Sequence, residues 1–527
     1  MNRLITSVIC GLVGINTMLY ADASRPKLVV GIMIDQLRTD YIEYLQNLFG
    51  EKGFNKLMKD GAFLKDVDFK VNGLDKVSGT AMIYTGGYPR HNGVTSSKVY
   101  DPNLRDMVPA LQDATMIGNF TTETYSPVGL RLSTISDEIA IDGAGLAAVY
   151  SISPDPQQSI IMAGHAGTSA FWINDNTGKW ATTTYYREAP SQLTQRNYSD
   201  PITSRLDTMQ WKPSRPLSTY PGLPAQKRIL DFKHTFPTAD RSVYRMYISS
   251  PMVNTEVTDV AITCLRDLKI GSRGDAIDML NIGYTAAPYK YVKDGDFRLE
   301  LEDSYLRLDG QLSRLFDAID KYVGLNNTLV YVASTGYYDD AVEDDAKYRT
   351  PTGYFSVKRA LSLLNSYLAA RYGNGDYVDT FSGGHVYLDR KQIEERKLDL
   401  KEVAEASRDF LVQMSGVSDA FTMSDIMASS LPAMEAMRLG TDPKTGGDVI
   451  LEFNAGWSVV DDTKFPNETQ VIRSGLVQTP VFIMGPNVEP VTIGTHVDAT
   501  AVAPTVTQVL RIRSPNGSAS KPLNLKK

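Results

Sequence analysis

Cysteine and histidine are scarce in this 527-residue chain, which has two of the first and five of the second. One cysteine, Cys10, lies in an apolar leader, so a chain cleaved behind that leader keeps Cys264 alone and forms no internal disulfide. Cys264 sits in an apolar stretch, residues 259–265, and reads as a core residue rather than a reactive thiol. No two histidines have metal-ligand spacing on one element. An excess of basic residues is also missing. Lys and Arg total 54 against 61 Asp and Glu, for a formal net charge of -7. With no long basic run, a face that neutralises nucleic-acid phosphates is excluded, and no nucleic-acid partner is expected. Internal repeats and low-complexity tracts are absent too. Tyrosine, by contrast, is plentiful at 28 residues, which fits either a tyrosine-rich core and surface or an adhesive interface.

The first residues have the form of an export signal. Arg3 gives a short positive region, residues 5–20 are mainly apolar, and Ala21-Asp22-Ala23 places small residues where an export peptidase reads them. Residues 1–23 are therefore expected to be removed, with retention as an anchor the alternative. The apolar stretch is short for a membrane span and is interrupted by Asn16 and Thr17. Cys10 lacks the small-residue context of a lipoprotein site. The expectation is an exported bacterial protein, periplasmic or on the outer surface, that meets a membrane only through a partner or an uncleaved signal.

Beyond the leader, residues 27–35 form an almost unbroken apolar run ending in Asp35, the pattern of a buried parallel strand whose C-terminal end faces a site. Leu308, Leu312, Leu315, Phe316, Ile319, Tyr322 and Val323 recur at helical spacing, and a second apolar strand follows at residues 328–333. The alternation returns with a strand at 481–484 and a helix at 503–510. Repeated β and α elements predict an α/β fold with a central, mostly parallel sheet covered by helices on both faces. Residues at about 166–245 and 349–447 break the pattern and are expected to be insertions that cap the sheet, within one domain spanning 24–527.

Several segments then carry a resemblance. Residues 25–38, Ile83-Tyr84-Thr85-Gly86 with Pro89 and His91, Ala163-Gly164-His165 with Ala170-Phe171-Trp172, residues 302–309, 448–458 ending in Trp457-Ser458, and the tail from Ala503 to Leu523 resemble, in order, the PafA-like branch of the alkaline phosphatase superfamily. This branch is close to the nucleotide pyrophosphatase/phosphodiesterases. The resemblance implies an alkaline-phosphatase-like sandwich. Working members hold two zinc ions on Asp and His ligands and attack phosphorus with a Thr or Ser hydroxyl.

Position by position, this chain departs from that chemistry. The first-strand ligand is kept as Asp35. The nucleophile position holds Lys76, whose ammonium cannot form the phosphoester made by a hydroxyl, and the histidine usually found four residues later is Thr80. The family's Asp-x-x-x-His pair reads Pro288 and Val292, its Asp-His pair reads Ser334 and Thr335, and its last zinc histidine reads Gln478. The phosphate-gripping residues correspond to Ser97, Asp155 and Gln157. What the resemblance implies is a degenerate member with neither catalytic residue nor metal cofactor. A buried Asp35 would then need a counter-charge, and Lys76 is the candidate. His91 reads as a turn residue, His165 as scaffold, and His385, after Gly383-Gly384, as a loop residue of the second insertion. His496 with Asp498 falls in a non-catalytic connection, and Asp339, Asp340, Glu343, Asp344 and Asp345 read as a solvated acidic loop. The leading expectation is an inactive envelope protein that binds within a protein assembly. The alternative is a divergent metal-dependent phosphatase or phosphodiesterase with a relocated or reduced metal site.

Overall fold

The computed structural model describes residues 25–525, apart from 72, 187–188, 222–231, 275, 293–296, 339–352, 455, 463–468 and 471–477. The leader and the acidic run at 339–345 lie outside the described residues.

Eleven strands build the central sheet: β1 (Leu28–Asp35), β2 (Ala62–Asp68), β3 (Gly118–Asn119), β4 (Val149–Ser153), β5 (Ser169–Ile173), β6 (Trp180–Thr183), β7 (Asp278–Thr285), β8 (Thr328–Ser334), β9 (Thr479–Met484), β10 (Val491–Ile493) and β11 (Val497–Asp498). Their order is β10-β2-β9-β8-β1-β7-β4-β5-β6-β3, with β11 also paired to β2. The middle is parallel: β1 lies between β7 and β8, and β4 and β5 continue beyond β7. β9 runs antiparallel to both β8 and β2. The expected α/β architecture is therefore present.

The apolar run of β1 is buried at all eight positions because the sheet is covered on both faces. Leu28, Val30, Ile32 and Ile34 enter one core, and Val29 and Met33 enter the other, as the two-residue period of a strand requires. The helices Lys76–Thr85 (α1), Ile135–Asp142 (α2), Pro156–Ala163 (α3) and Val502–Leu510 (α8) contribute to the second core. Met252–Asp267 (α4) and Arg298–Tyr322 (α5) contribute to the first. Leu308, Leu312, Leu315, Phe316 and Ile319 form the buried stripe of α5, as their spacing predicts. Cys264 on α4 is fully buried, and that burial pushes its thiol up to about 12.

The proposed insertions need redrawing at one end. Residues 169–183 supply β5 and β6, so they belong to the sheet rather than to a cap over it. From Val357 onward the chain builds a separate layer, with helices Val357–Tyr372 (α6) and Leu400–Leu411 (α7) against a four-stranded antiparallel sheet. That sheet takes Val378–Ser382, His385–Leu388, Val417–Thr422 and Val449–Phe453, and it has its own apolar core.

Candidate functional site

β1 delivers Asp35 to the C-terminal end of the parallel strands, where open α/β sheets place their ligand sites. Gln36 then turns the chain with φ of 59°. Facing Asp35 is the start of α1. Asp75 caps this helix by accepting hydrogen bonds from the Val77 and Ser78 amides, and Ser78 answers by accepting from the Asp75 amide. Lys76 is the first helical residue. Its ammonium reaches Asp35 Oδ2 at 3.2 Å, so the pairing that charge balance called for is formed.

The surrounding hydrogen bonds have a fixed sense. The Gln36 amide donates to Thr335 Oγ1 at 3.0 Å, and the Thr335 hydroxyl donates to Asp35 Oδ1 at 3.0 Å. On α1, the Thr80 hydroxyl donates to the Lys76 carbonyl at 2.7 Å while Gln158 Nε2 donates to Thr80 Oγ1 at 3.2 Å. Ser153 Oγ donates to Gln158 Oε1, and the Asp155 amide donates to Ser153 Oγ. Asp155 caps α3 by accepting from the Gln158 amide at 2.9 Å. Gln157 holds the Ser97 carbonyl at 2.9 Å, and the Ser97 amide donates to Asp75.

These groups frame a cleft of roughly 400 Å³. Asp35, Lys76, Asp155 and Pro288 line it, together with Glu123, Asp175, Arg245 and Lys290, which the sequence reading had not singled out. Thr335 lies behind Asp35, and Ser97 and Gln157 lie behind the start of α1. Val292 packs instead against the core beside α5, and the exposed Gln478 contributes its backbone carbonyl to the Thr39 amide.

The charges at the base are unusual for a helix N-terminus, whose dipole favours anions. Burial pulls the Lys76 ammonium down, but Asp35, Asp155 and Asp75 outweigh it, and its pKa stands above the ordinary 10.5. Burial raises the Asp155 carboxyl, against the opposing pull of Lys76. Among the described residues, no three His, Cys, Asp or Glu side chains converge into a group able to hold a metal ion. Both Asp35 oxygens already have protein donors. The donor set here does not fit the two-zinc centre that the resemblance implies.

The other predicted histidines lie away from this cleft. His165 places Nδ1 at 3.0 Å from Asp137 Oδ2 and Nε2 at 2.9 Å from the Leu130 carbonyl. His385 accepts from the Gly447 amide at 3.2 Å in the second layer. His496 bridges Asp66 and Asp68, while Asp498 pairs with Lys70 at 2.8 Å. His91 lies in the helical turn Pro89–Asn92. Asp75 and Ser78 are absent from the sequence expectations, and the signal that finds them is the Asp-x-x-Ser capping pattern ahead of α1. Glu123, Asp175, Arg245 and Lys290 come from distant segments and carry no shared local signal.

The chain belongs to the type I phosphodiesterase / nucleotide pyrophosphatase family, whose model matches residues 29–475. Among curated relatives it is similar to the alkaline phosphatase PafA of Elizabethkingia meningoseptica, 28% identical over 517 residues, covering 95% of this chain and 94% of that one. The alkaline phosphatase PhoV of Synechococcus elongatus is 26% identical over 515 residues, covering 94% and 92%. The crystal structure of wild-type PafA superposes with a TM-score of 0.83 at 28% identity, covering 96% of this chain and 99% of that one. Murine ectonucleotide pyrophosphatase/phosphodiesterase 5 shares the fold at a TM-score of 0.51 and 10% identity, with 93% and 96% covered.

Proposed function

We propose that this chain has lost phosphoryl transfer and serves as a binding or structural subunit of an exported protein assembly in the cell envelope. The observation that carries the reading is the Lys76–Asp35 ion pair at the position where the family attacks phosphorus. A protonated amine paired with Asp35 has no free lone pair for attack, and it repels a second cation. The cleft also carries Asp155 where its relatives would favour a cation, which makes a phosphate dianion less welcome. An exported protein or glycan partner is part of this proposal, and fold alone does not choose between them.

Kinship favours a second reading, a divergent phosphatase or phosphodiesterase with a relocated or reduced metal site. Relatives aligned over nearly the whole chain are named as phosphatases, and the cleft still holds ionisable groups of both signs. Kinship by itself favours this alternative over the inactive reading, and only the local chemistry of Lys76 speaks for the inactive one. Turnover of an aryl phosphate and an aryl phosphodiester, measured with metal content on the purified chain, separates the two. The non-catalytic reading expects no rate above the blank and no stoichiometric zinc. Stoichiometric zinc, with turnover that Asp35→Ala abolishes, would establish the alternative.

A further inference from the structure

We infer that Lys76 is a tethered cation: its ammonium supplies from within the chain the positive charge required at the end of β1, and it bars a divalent metal ion from Asp35. The inference rests on the non-catalytic reading and adds a physical cause for it.

Two observations carry it. First, both Asp35 oxygens are taken, Oδ2 by Lys76 at 3.2 Å and Oδ1 by the Thr335 hydroxyl at 3.0 Å. Second, the neighbouring hydroxyls are oriented away from metal binding. Thr335 receives the Gln36 amide and gives its proton to Asp35, while Thr80 receives Gln158 and gives its proton to the Lys76 carbonyl. A cation needs lone pairs turned towards it, and each of these oxygens already commits one lone pair and its proton within the protein. A divalent ion beside Asp35 would meet a fixed positive charge at about the length of one ion pair. It could enter only by displacing Lys76, which would then lose its principal carboxylate partner.

The pair also does structural work. It links the end of β1 to the start of α1, and Thr335 extends the link to the segment after β8. Removing the ammonium leaves a buried carboxylate without its counter-charge, whereas removing both charges leaves a neutral contact.

A double-mutant cycle on the purified full chain tests this, with Tm and a zinc chloride titration as readouts. Lys76→Met should lower Tm by several degrees, Asp35→Asn in that background should recover most of the loss, and Lys76→Arg should stay near the wild type. Zinc chloride should leave the wild-type Tm unchanged and give no saturable heat. If Lys76→Met fails to fold, Lys76→Arg and the double variant still supply the comparison. A saturable zinc isotherm for the wild type, or Tm losses that simply add, would overturn the tethered cation whatever the hydrolysis assays show. Metal-free turnover of an aryl phosphate would instead sink the non-catalytic reading and leave the tethered cation intact.

Discussion

His165 has an acceptor at each ring nitrogen, and only the imidazolium can donate to both. The Asp137 hydrogen bond raises its pKa above 6.5 against the opposing effect of burial. Its contribution to stability is thus fully present below about 6.5 and is lost as the pH rises through the raised folded value. His385 behaves in the opposite sense. Burial pushes it down to about 4, so its neutral form contributes above 6.5 and that contribution fades as the pH falls from 6.5 towards 4. Urea unfolding across pH checks both. His165→Gln should flatten the alkaline side of the stability profile, and His385→Gln should flatten the stretch between 6.5 and 4. At this scale the sequence marked His165 as scaffold but put His385 in a loop, whereas that residue opens the strand His385–Leu388; neither lines the cleft. It could not reveal their partners, because Asp137 and Gly447 lie 28 and 62 residues away.

Helix α1 explains a glycine that helix propensity disfavours. A β-carbon on Gly79 would come within 1.8 Å of the Thr335 carbonyl oxygen, so the helix approaches this loop only because no side chain intervenes. Gly79→Ala should gain about 1 kcal/mol in helix propensity and still be destabilising, since overpacking against backbone costs roughly 1–3 kcal/mol or more. Denaturant midpoints read the net change, and an increase in stability would show that the loop yields freely. Elements with strong periodicity, β1 and α5 above all, were readable in the sequence. β5 and β6 were misplaced into a cap because each is short, and what makes them sheet strands is pairing with β4 and β3 across long separations.

Across the whole molecule, the second layer is fastened to the central sheet's surroundings by polar contacts. Arg105 bridges Asp379 and Asp389, Tyr100 donates to Asp379 and stacks on Tyr387 at 4.7 Å, and Arg131 pairs with Asp442 at 2.6 Å. Asp379→Ala removes the acceptor shared by Arg105 and Tyr100. A loss of about 1–3 kcal/mol is expected, with faster hydrogen exchange in Val378–Leu388. Unchanged exchange there would show that Asp389 and the ring stack suffice. The order of family-like segments announced this architecture from the first strand to the tail. The cleft was legible only in part: Asp35 and Lys76 could be paired by charge, but Thr335 joins them across 300 residues of chain.

The ion pair at the end of β1 also decides when the molecule is finished. A metal centre waits for its surroundings to deliver an ion, and a chelator or a zinc-starved medium can leave it incomplete. An ammonium encoded in the chain arrives with synthesis, at fixed stoichiometry, and cannot be stripped or exchanged. On the tethered-cation reading, this protein's readiness depends on folding alone and not on the metal supply around it.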